Sequence, residues 1–278
     1  MIYFPNAKIN IGLFVTDRRE DGFHNIESLF YPIGLNDALE MRLSEDGITG
    51  LNVSGEGIEK DVSDTDNNTV LKAFRMLKTD FPQIKDVNIY LDKGIPVFAG
   101  LGGGSSDATY ALLLTDYMFN LQLDEDKLLF YASLIGSDCP FFVKNVPQFV
   151  YSRGDKMTSV DLSLKGFYLV LIKPPLNIST QEAYKDVHKT SSPFDLRKLK
   201  VNDIANWRCY VKNDFEVHLF EKYPLLREIK DSLYDTGALY AQMSGSGSTV
   251  YGIFEHKVDL NALNLSDDTF VWQERLER

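Results

Sequence analysis

Apolar residues along this chain change their spacing several times, and each change predicts an element. Residues 7–15 (AKINIGLFV) alternate in the period-two manner of a strand, as do 38–43 and 48–53. Over 69–80 the period becomes helical, with Val70, Leu71, Phe74 and Leu77 on one face and Pro82 just past the end. Residues 86–92 return to a strand, Val87, Ile89 and Leu91 sharing one side. A helix over 105–119 is apolar nearly all round, which predicts burial on most sides. Another, over 124–136, aligns Leu128, Ala132 and Ile135 and stops at Gly136. The second half is less rhythmic. It predicts a buried strand over 167–172 ended by Lys173, Pro174 and Pro175, then helices over 214–220 and 224–234, then strands over 237–243 and 249–254.

Strands and helices interleave without the regular βαβ rhythm of a wholly parallel sheet, so the fold class is α+β. Polar loop residues interrupt the apolar segments near 150–165, which divides the chain into domains at 1–155 and 156–278. At 278 residues and 44% hydrophobic, the chain can build both cores. No stretch approaches the roughly 20 apolar residues of a membrane span, and "MIYFPNAKINIGLF" lacks the basic flank and cleavage site of a signal peptide. Two cysteines, Cys139 and Cys209, are too few for a disulfide framework and lack zinc spacing. The expectation is a reduced, cytoplasmic protein with no membrane partner. A net charge of −11 argues against a nucleic-acid partner. It leaves a small anionic ligand open, because a pocket can be locally positive inside an acidic protein.

The stretch "PVFAGLGGGSSDAT", residues 96–109, places Gly100, Gly102, Gly103 and Gly104 against a helix start. A helix N-terminus presents unpaired N–H groups and about half a positive charge. Glycines ahead of it remove Cβ atoms and let a phosphate reach several amides together. Ser105 and Ser106 add hydroxyls that can bond a phosphate or help hold Mg²⁺. The plainer explanation is a glycine-rich turn packed tightly against another element. A Walker-type loop is absent, and Ser105 stands where a dinucleotide fingerprint needs its third glycine, so a Rossmann-type dehydrogenase is set aside. A second small-residue loop, "SGSGS" at 244–248, reads by itself as a hairpin turn.

Together "AKINIGL", "GLGGGSS" and "MSGSGST" resemble, in order and spacing, the three motifs of the small-molecule kinases named for galactose, homoserine, mevalonate and phosphomevalonate, the GHMP kinases. "PNAKIN", "DGFH" and "GSDCPFF" are similar to the branch whose alcohol substrate carries a cytidine diphosphate. The resemblance spans nearly the whole chain. It implies an N-terminal α+β nucleotide-binding domain, a ferredoxin-like C-terminal domain and a cleft between them. It further implies transfer of the ATP γ-phosphoryl group to a 2-hydroxyl, in non-mevalonate isoprenoid precursor synthesis, with ATP and Mg²⁺ required. Pro96, Gly100, Leu101, Gly102, Gly103, Gly104, Ser105 and Ser106 then form the ATP loop.

Phosphoryl transfer depends mainly on positioning and charge stabilisation, and a hydroxyl nucleophile needs an acceptor for its proton. Asp138, set before Cys139, Pro140, Phe141 and Phe142, is the candidate base in a dry setting. The alternative is a capping carboxylate. Lys8 falls on the family's catalytic lysine position and would keep Asp138 ionised. The alternative is a strand lysine whose head reaches solvent. Asn10 shares the strand face of Lys8. Lys93 beside the loop can contact phosphates or be an exposed turn lysine. Asn68 matches a position near adenine and is also the natural N-cap of helix 69–80. The resemblance further implies that Phe23 and Tyr184 sandwich cytosine, that His24 reads its polar edge, and that Thr180 is another contact. Ordinary core aromatics are the alternative for these rings.

Three residues fit less neatly: Phe98 stands where a small residue is usual, Asn6 between Pro5 and Ala7 has no reading, and Asp107, where the pattern admits Asp or Asn, suits the helix dipole but would repel a phosphate unless Mg²⁺ intervenes. The competing functions are a mevalonate or homoserine kinase, and a non-catalytic nucleotide sensor on the same fold. "DGFH" argues against the first, because those substrates carry no base, and the presence of both Lys8 and Asp138 argues against the second.

Overall fold

A computed structural model describes residues 1–55, 68–187, 194–263 and 265–277. In chain order the strands and helices are β1 (Ile2–Tyr3), β2 (Asn6–Arg18), β3 (His24–Asn36), β4 (Ala38–Leu43), β5 (Gly50–Gly55), α1 (Thr69–Asp80), β6 (Val87–Lys93), α2 (Gly103–Phe119), α3 (Glu125–Ile135), α4 (Cys139–Lys144), β7 (Gln148–Tyr151), β8 (Lys156–Ser159) and β9 (Tyr168–Lys173). They continue with α5 (Thr180–Lys185), α6 (Trp207–Tyr210), α7 (Glu216–Lys222), α8 (Pro224–Asp235), β10 (Tyr240–Met243), β11 (Val250–Phe254) and β12 (Phe270–Arg275). Contacts gather these into two compact units that interleave along the sequence.

The first unit comprises Met1–Ala7, Leu35–Val97 and Gly102–Val146. Its sheet runs β1-β4-β6-β5, antiparallel except for the β5–β6 pair. Leu39, Met41, Ile89 and Leu91 on this sheet share one core with Val70, Phe74 and Leu77 of α1 and Ala108, Ala111 and Leu112 of α2. That burial explains the all-round apolarity of α2, whose small Ala and Thr positions let its backbone come close to its neighbours. Asn68 starts α1 by accepting the Val70 amide at 2.9 Å. Pro140 fits the first turn of α4, where its missing N–H is not needed.

The second unit comprises Lys8–Gly34, Phe98–Leu101 and Pro147–Arg278. One sheet is β10-β11-β9-β12, antiparallel throughout. Numbering its strands from β9 gives the order 2-3-1-4, the ferredoxin-like arrangement expected. Val170, Ile172, Val250 and Met243 pack there against Leu219, Phe220, Leu226, Ile229 and Leu233 of α7 and α8. The other sheet is β2-β3-β7-β8. Strand β3 carries Pro32, but β7 pairs with it only over Ser28–Phe30, so the proline lies past the end of that ladder. Among the described residues, no helix is long and apolar enough to cross a membrane.

Candidate active site

The predicted residues fall in both units. In the first, α2 begins at Gly103, and its first intrahelical bond joins the Ser106 amide to the Gly102 carbonyl at 2.9 Å. The amides ahead of it are those that an α-helix leaves without an internal partner. Gly102 has a left-handed backbone, φ +74°, at little cost because it lacks Cβ. A Cβ on Gly103 would lie 3.0 Å from Ile95 Cγ2 and 3.3 Å from Lys93 Nζ. A Cβ on Gly104 would meet nothing within 4 Å, and Gly104 is exposed. Tight packing therefore accounts for Gly103, while Gly104 faces open space.

The serines differ in the same way. Ser106 is buried and its hydroxyl donates to the Asn6 carbonyl at 2.7 Å, whereas Ser105 is half-buried. Asn6 is also bonded to Tyr110 and Asn145, which gives it a structural part near the start of β2. Pro96 is half-buried ahead of the loop.

Lys93 is not an exposed turn lysine. It is 9% exposed, and its ammonium pairs with Asp37 and, at 2.6 Å, with Asp107. Burial opposes its charge, but the carboxylates, Asp107 foremost, outweigh that and hold its pKa above the ordinary value. Burial, with Lys93 opposing it, pushes Asp107 up to about 8. Asp138 stands at the N-cap position of α4, yet its side chain makes no capping bond. It is half-buried, wetter than the apolar residues after it suggest. Next to it, burial raises the Cys139 thiol to about 11, so the sulfur stays protonated at neutral pH.

In the second unit Lys8 does not reach solvent: it is 3% exposed, in contact with Asn10 Oδ1 at 2.5 Å and the Gly100 carbonyl at 3.3 Å. Its ammonium also lies 4.4 Å from the centre of the Phe30 ring. Asn10 in turn donates to Ser28 at 2.9 Å. The backbone of Lys8 donates to the Leu101 carbonyl at 2.9 Å, fastening β2 to the glycine loop. Gly100 has φ +72°, and a Cβ there would sit 2.0 Å from the Ser244 carbonyl oxygen. Ser244 donates to the Gly100 carbonyl at 2.9 Å and accepts the Asn10 amide at 3.2 Å. Residues 244–248 thus form both the hairpin connection between β10 and β11 and a buttress for Gly100. Asn213 holds the loop by donating to the carbonyls of Met243 and Gly245, each at 2.8 Å. Phe98 takes φ +52°, a left-handed conformation that strains a residue with a Cβ.

Of the residues predicted to bind the base, two are in contact with each other, and they are His24 and Tyr184 rather than Phe23 and Tyr184. His24 and Tyr184 stack with centroids 5.1 Å apart and planes 19° from parallel. Phe23 is exposed, with the Arg153 guanidinium 5.5 Å from its ring centre. Burial, helped by Arg18, lowers the His24 pKa. Thr180 lies 3.5 Å from Ser246, hydroxyl to hydroxyl.

The structure therefore joins Lys8, Asn10, Gly100 and Ser244 in one cluster, Lys93 with Gly103 in another, and His24 with Tyr184 in a third. Sequence reasoning missed Asp37, Phe30, Arg153 and Asn213. Each acts through a distant residue, and local patterning gives no sign of such a pairing. Among the described residues, no three His, Cys, Asp or Glu side chains gather to hold a metal.

Residues 68–146 match the family described as GHMP kinases N terminal domain, and residues 196–263 match GHMP kinases C terminal. A 4-diphosphocytidyl-2-C-methyl-D-erythritol kinase of Bacteroides fragilis (strain YCH46) is 43% identical over 284 residues, covering 100% of both chains. Its counterpart in Parabacteroides distasonis is 44% identical over 276 residues, covering 99% of this chain and 100% of the other. A crystal structure of 4-(cytidine 5'-diphospho)-2C-methyl-D-erythritol kinase superposes with a TM-score of 0.77 at 28% identity, covering 98% of each chain. With motifs, sheet order and full-length identity in agreement, the chain belongs to the GHMP kinases, in the branch of the 4-diphosphocytidyl-2-C-methyl-D-erythritol kinases.

Proposed function

We propose that this protein transfers the γ-phosphoryl group of ATP to the 2-hydroxyl of 4-diphosphocytidyl-2-C-methyl-D-erythritol, a step of non-mevalonate isoprenoid precursor synthesis in the cytoplasm. The observation that carries the reading is the open space over Gly104 at the N-terminus of α2, where amides and helix dipole favour a phosphate. The division at 1–155 and 156–278 goes with it, since the two family matches fall on either side.

In this reading the amides of Gly103, Gly104 and Ser105 receive the triphosphate, and Asn68, besides capping α1, lies toward adenine. Phe23 and Tyr184 bracket cytosine, His24 reads its edge as a neutral ring, and Thr180 adds a hydroxyl contact. Asp138 accepts the proton of the 2-hydroxyl as the oxygen bonds to the γ-phosphorus and the β–γ bridging bond breaks, with ADP leaving. Lys8, oriented by Asn10, balances charge on the transferring group. Of the two serines at the start of α2, Ser106 is engaged with the Asn6 carbonyl, so the half-buried Ser105 hydroxyl would be the one to help hold Mg²⁺ beside the phosphates. There Mg²⁺ would supply charge neutralisation to the phosphate groups during transfer.

The test is ADP release with the cytidylyl alcohol, mevalonate and homoserine offered separately. Turnover with the first alone is the expected result. Turnover with mevalonate or homoserine and none with the cytidylyl alcohol overturns the assignment.

A further inference from the structure

Lys93, Asp37 and Asp107 form a buried charged cluster beside the glycine loop, at 9%, 1% and 2% exposure. A lysine beside a phosphate loop invites a phosphate contact. Its ammonium, however, is already paired with Asp37 and Asp107, and a phosphate brought there would have to compete with both acidic side chains.

We propose that Lys93 is a positioning residue which, held between Asp37 and Asp107, sets the spacing between the end of β6 and the first turns of α2 and so keeps the amides of Gly103, Gly104 and Ser105 aligned for the nucleotide phosphates. This rests on the reading of that turn as the phosphate site.

Three observations support it. The two carboxylates hold opposite ends of the connection. Asp37 Oδ1 accepts the amides of Gly94 and Ile95, each at 2.7 Å, where the chain leaves β6. Asp107 belongs to α2 itself, so one ammonium ties strand to helix. Second, the missing Cβ of Gly103 makes room for the lysine, since the atom would stand 3.3 Å from Nζ. One glycine of the loop thus serves the clamp. Third, Asp107 Oδ1 is buried with no hydrogen-bond partner among the described residues, so that side chain is anchored through the cluster it forms with Lys93 and Asp37.

Asp107→Leu and Asp37→Asn test this with a difference in sign. Both keep the number of side-chain heavy atoms, and Asp37→Asn keeps an oxygen for the Gly94 and Ile95 amides. If Lys93 aligns the loop, each variant raises KM for ATP about tenfold, the size of one lost hydrogen bond to a charged group. KM for the cytidylyl alcohol then stays within about twofold, the mark of a lost binding interaction with one substrate only. If Lys93 instead touches phosphate, removing a competing carboxylate leaves KM for ATP unchanged or lower, and the proposal fails. A parallel rise in both KM values with a lowered Tm also overturns it, because that pattern marks general loosening. Should Asp37→Asn not fold, Asp107→Leu decides alone. Failure of the underlying phosphate-site reading would appear separately, as an unchanged KM for ATP in Gly104→Ala.

Discussion

Replacing Gly104 by alanine separates the demands of folding from those of nucleotide binding, because the two predict opposite effects at one atom. The added Cβ enters open space, with nothing within 4 Å. Alanine also gains over glycine in a helix by up to about 1 kcal/mol, through lower backbone entropy in the unfolded chain. Thermal denaturation should therefore show Tm unchanged or slightly higher. The same Cβ occupies the space where a phosphate oxygen approaches the amides. Losing one charge-assisted hydrogen bond costs about 1.5–3 kcal/mol, so KM for ATP should rise roughly 10- to 100-fold. Gly100→Ala is the contrasting control. Its Cβ would stand 2.0 Å from a backbone oxygen in a residue at φ +72°. The left-handed conformation alone costs roughly 1–2 kcal/mol, and the clash adds to it. That variant should lose stability outright, a large share of the roughly 5–15 kcal/mol that holds a domain. Gly104→Ala with wild-type KM for ATP would refute the phosphate assignment, and Gly104→Ala with a clearly lowered Tm would refute the open space.

Other variants test the remaining roles. Asp138→Asn should reduce kcat by about 10²–10⁴, the usual contribution of a general base, while equilibrium binding of ATP persists; near-normal kcat would remove Asp138 from that role. Phe23→Ala and Tyr184→Ala should each raise KM for the cytidylyl alcohol by the equivalent of about 1–3 kcal/mol of base stacking and leave KM for ATP within twofold. Parallel increases in both constants would dissolve the sandwich. Burial lowers the His24 pKa, so its folded form binds a proton less readily than the unfolded chain. Stability linked to this residue is therefore present above the ordinary histidine pKa of about 6.5 and declines as pH falls through it. An NMR titration of His24 should give a pKa below that ordinary value, and one above it would contradict the neutral-ring role.

Much of the fold is legible in the sequence where local signals agree. Helix α1 starts after Asn68 and stops before Pro82, as those residues indicate, and β4 matches its alternation residue for residue. Helix α2 starts two residues earlier than the apolar period indicates, because glycines in a first turn carry no packing signal. Strand β3 escapes notice because Pro32 and Gly34 look like breaks, although the ladder beside Pro32 has already ended. Helix α4 hides in "CPFF", where a proline that reads as loop occupies a first helical turn. The candidate site divides along the same line. The glycine loop and Lys8 stand out as residue types in unusual places. Asp37 does not, since its importance arises from the pairing with a lysine 56 positions later. His24 against Tyr184 likewise depends on the folding of β3 beside α5, which no local pattern records.

The central claim concerns backbone amides, and NMR observes them directly. In ¹⁵N-labelled protein titrated with ATP, the amide resonances of Gly103, Gly104 and Ser105 should shift saturably, and more than those of the β10–β11 hairpin far from Ser244. Shifts confined to other segments, with these three amides unmoved at saturating nucleotide, would contradict the account.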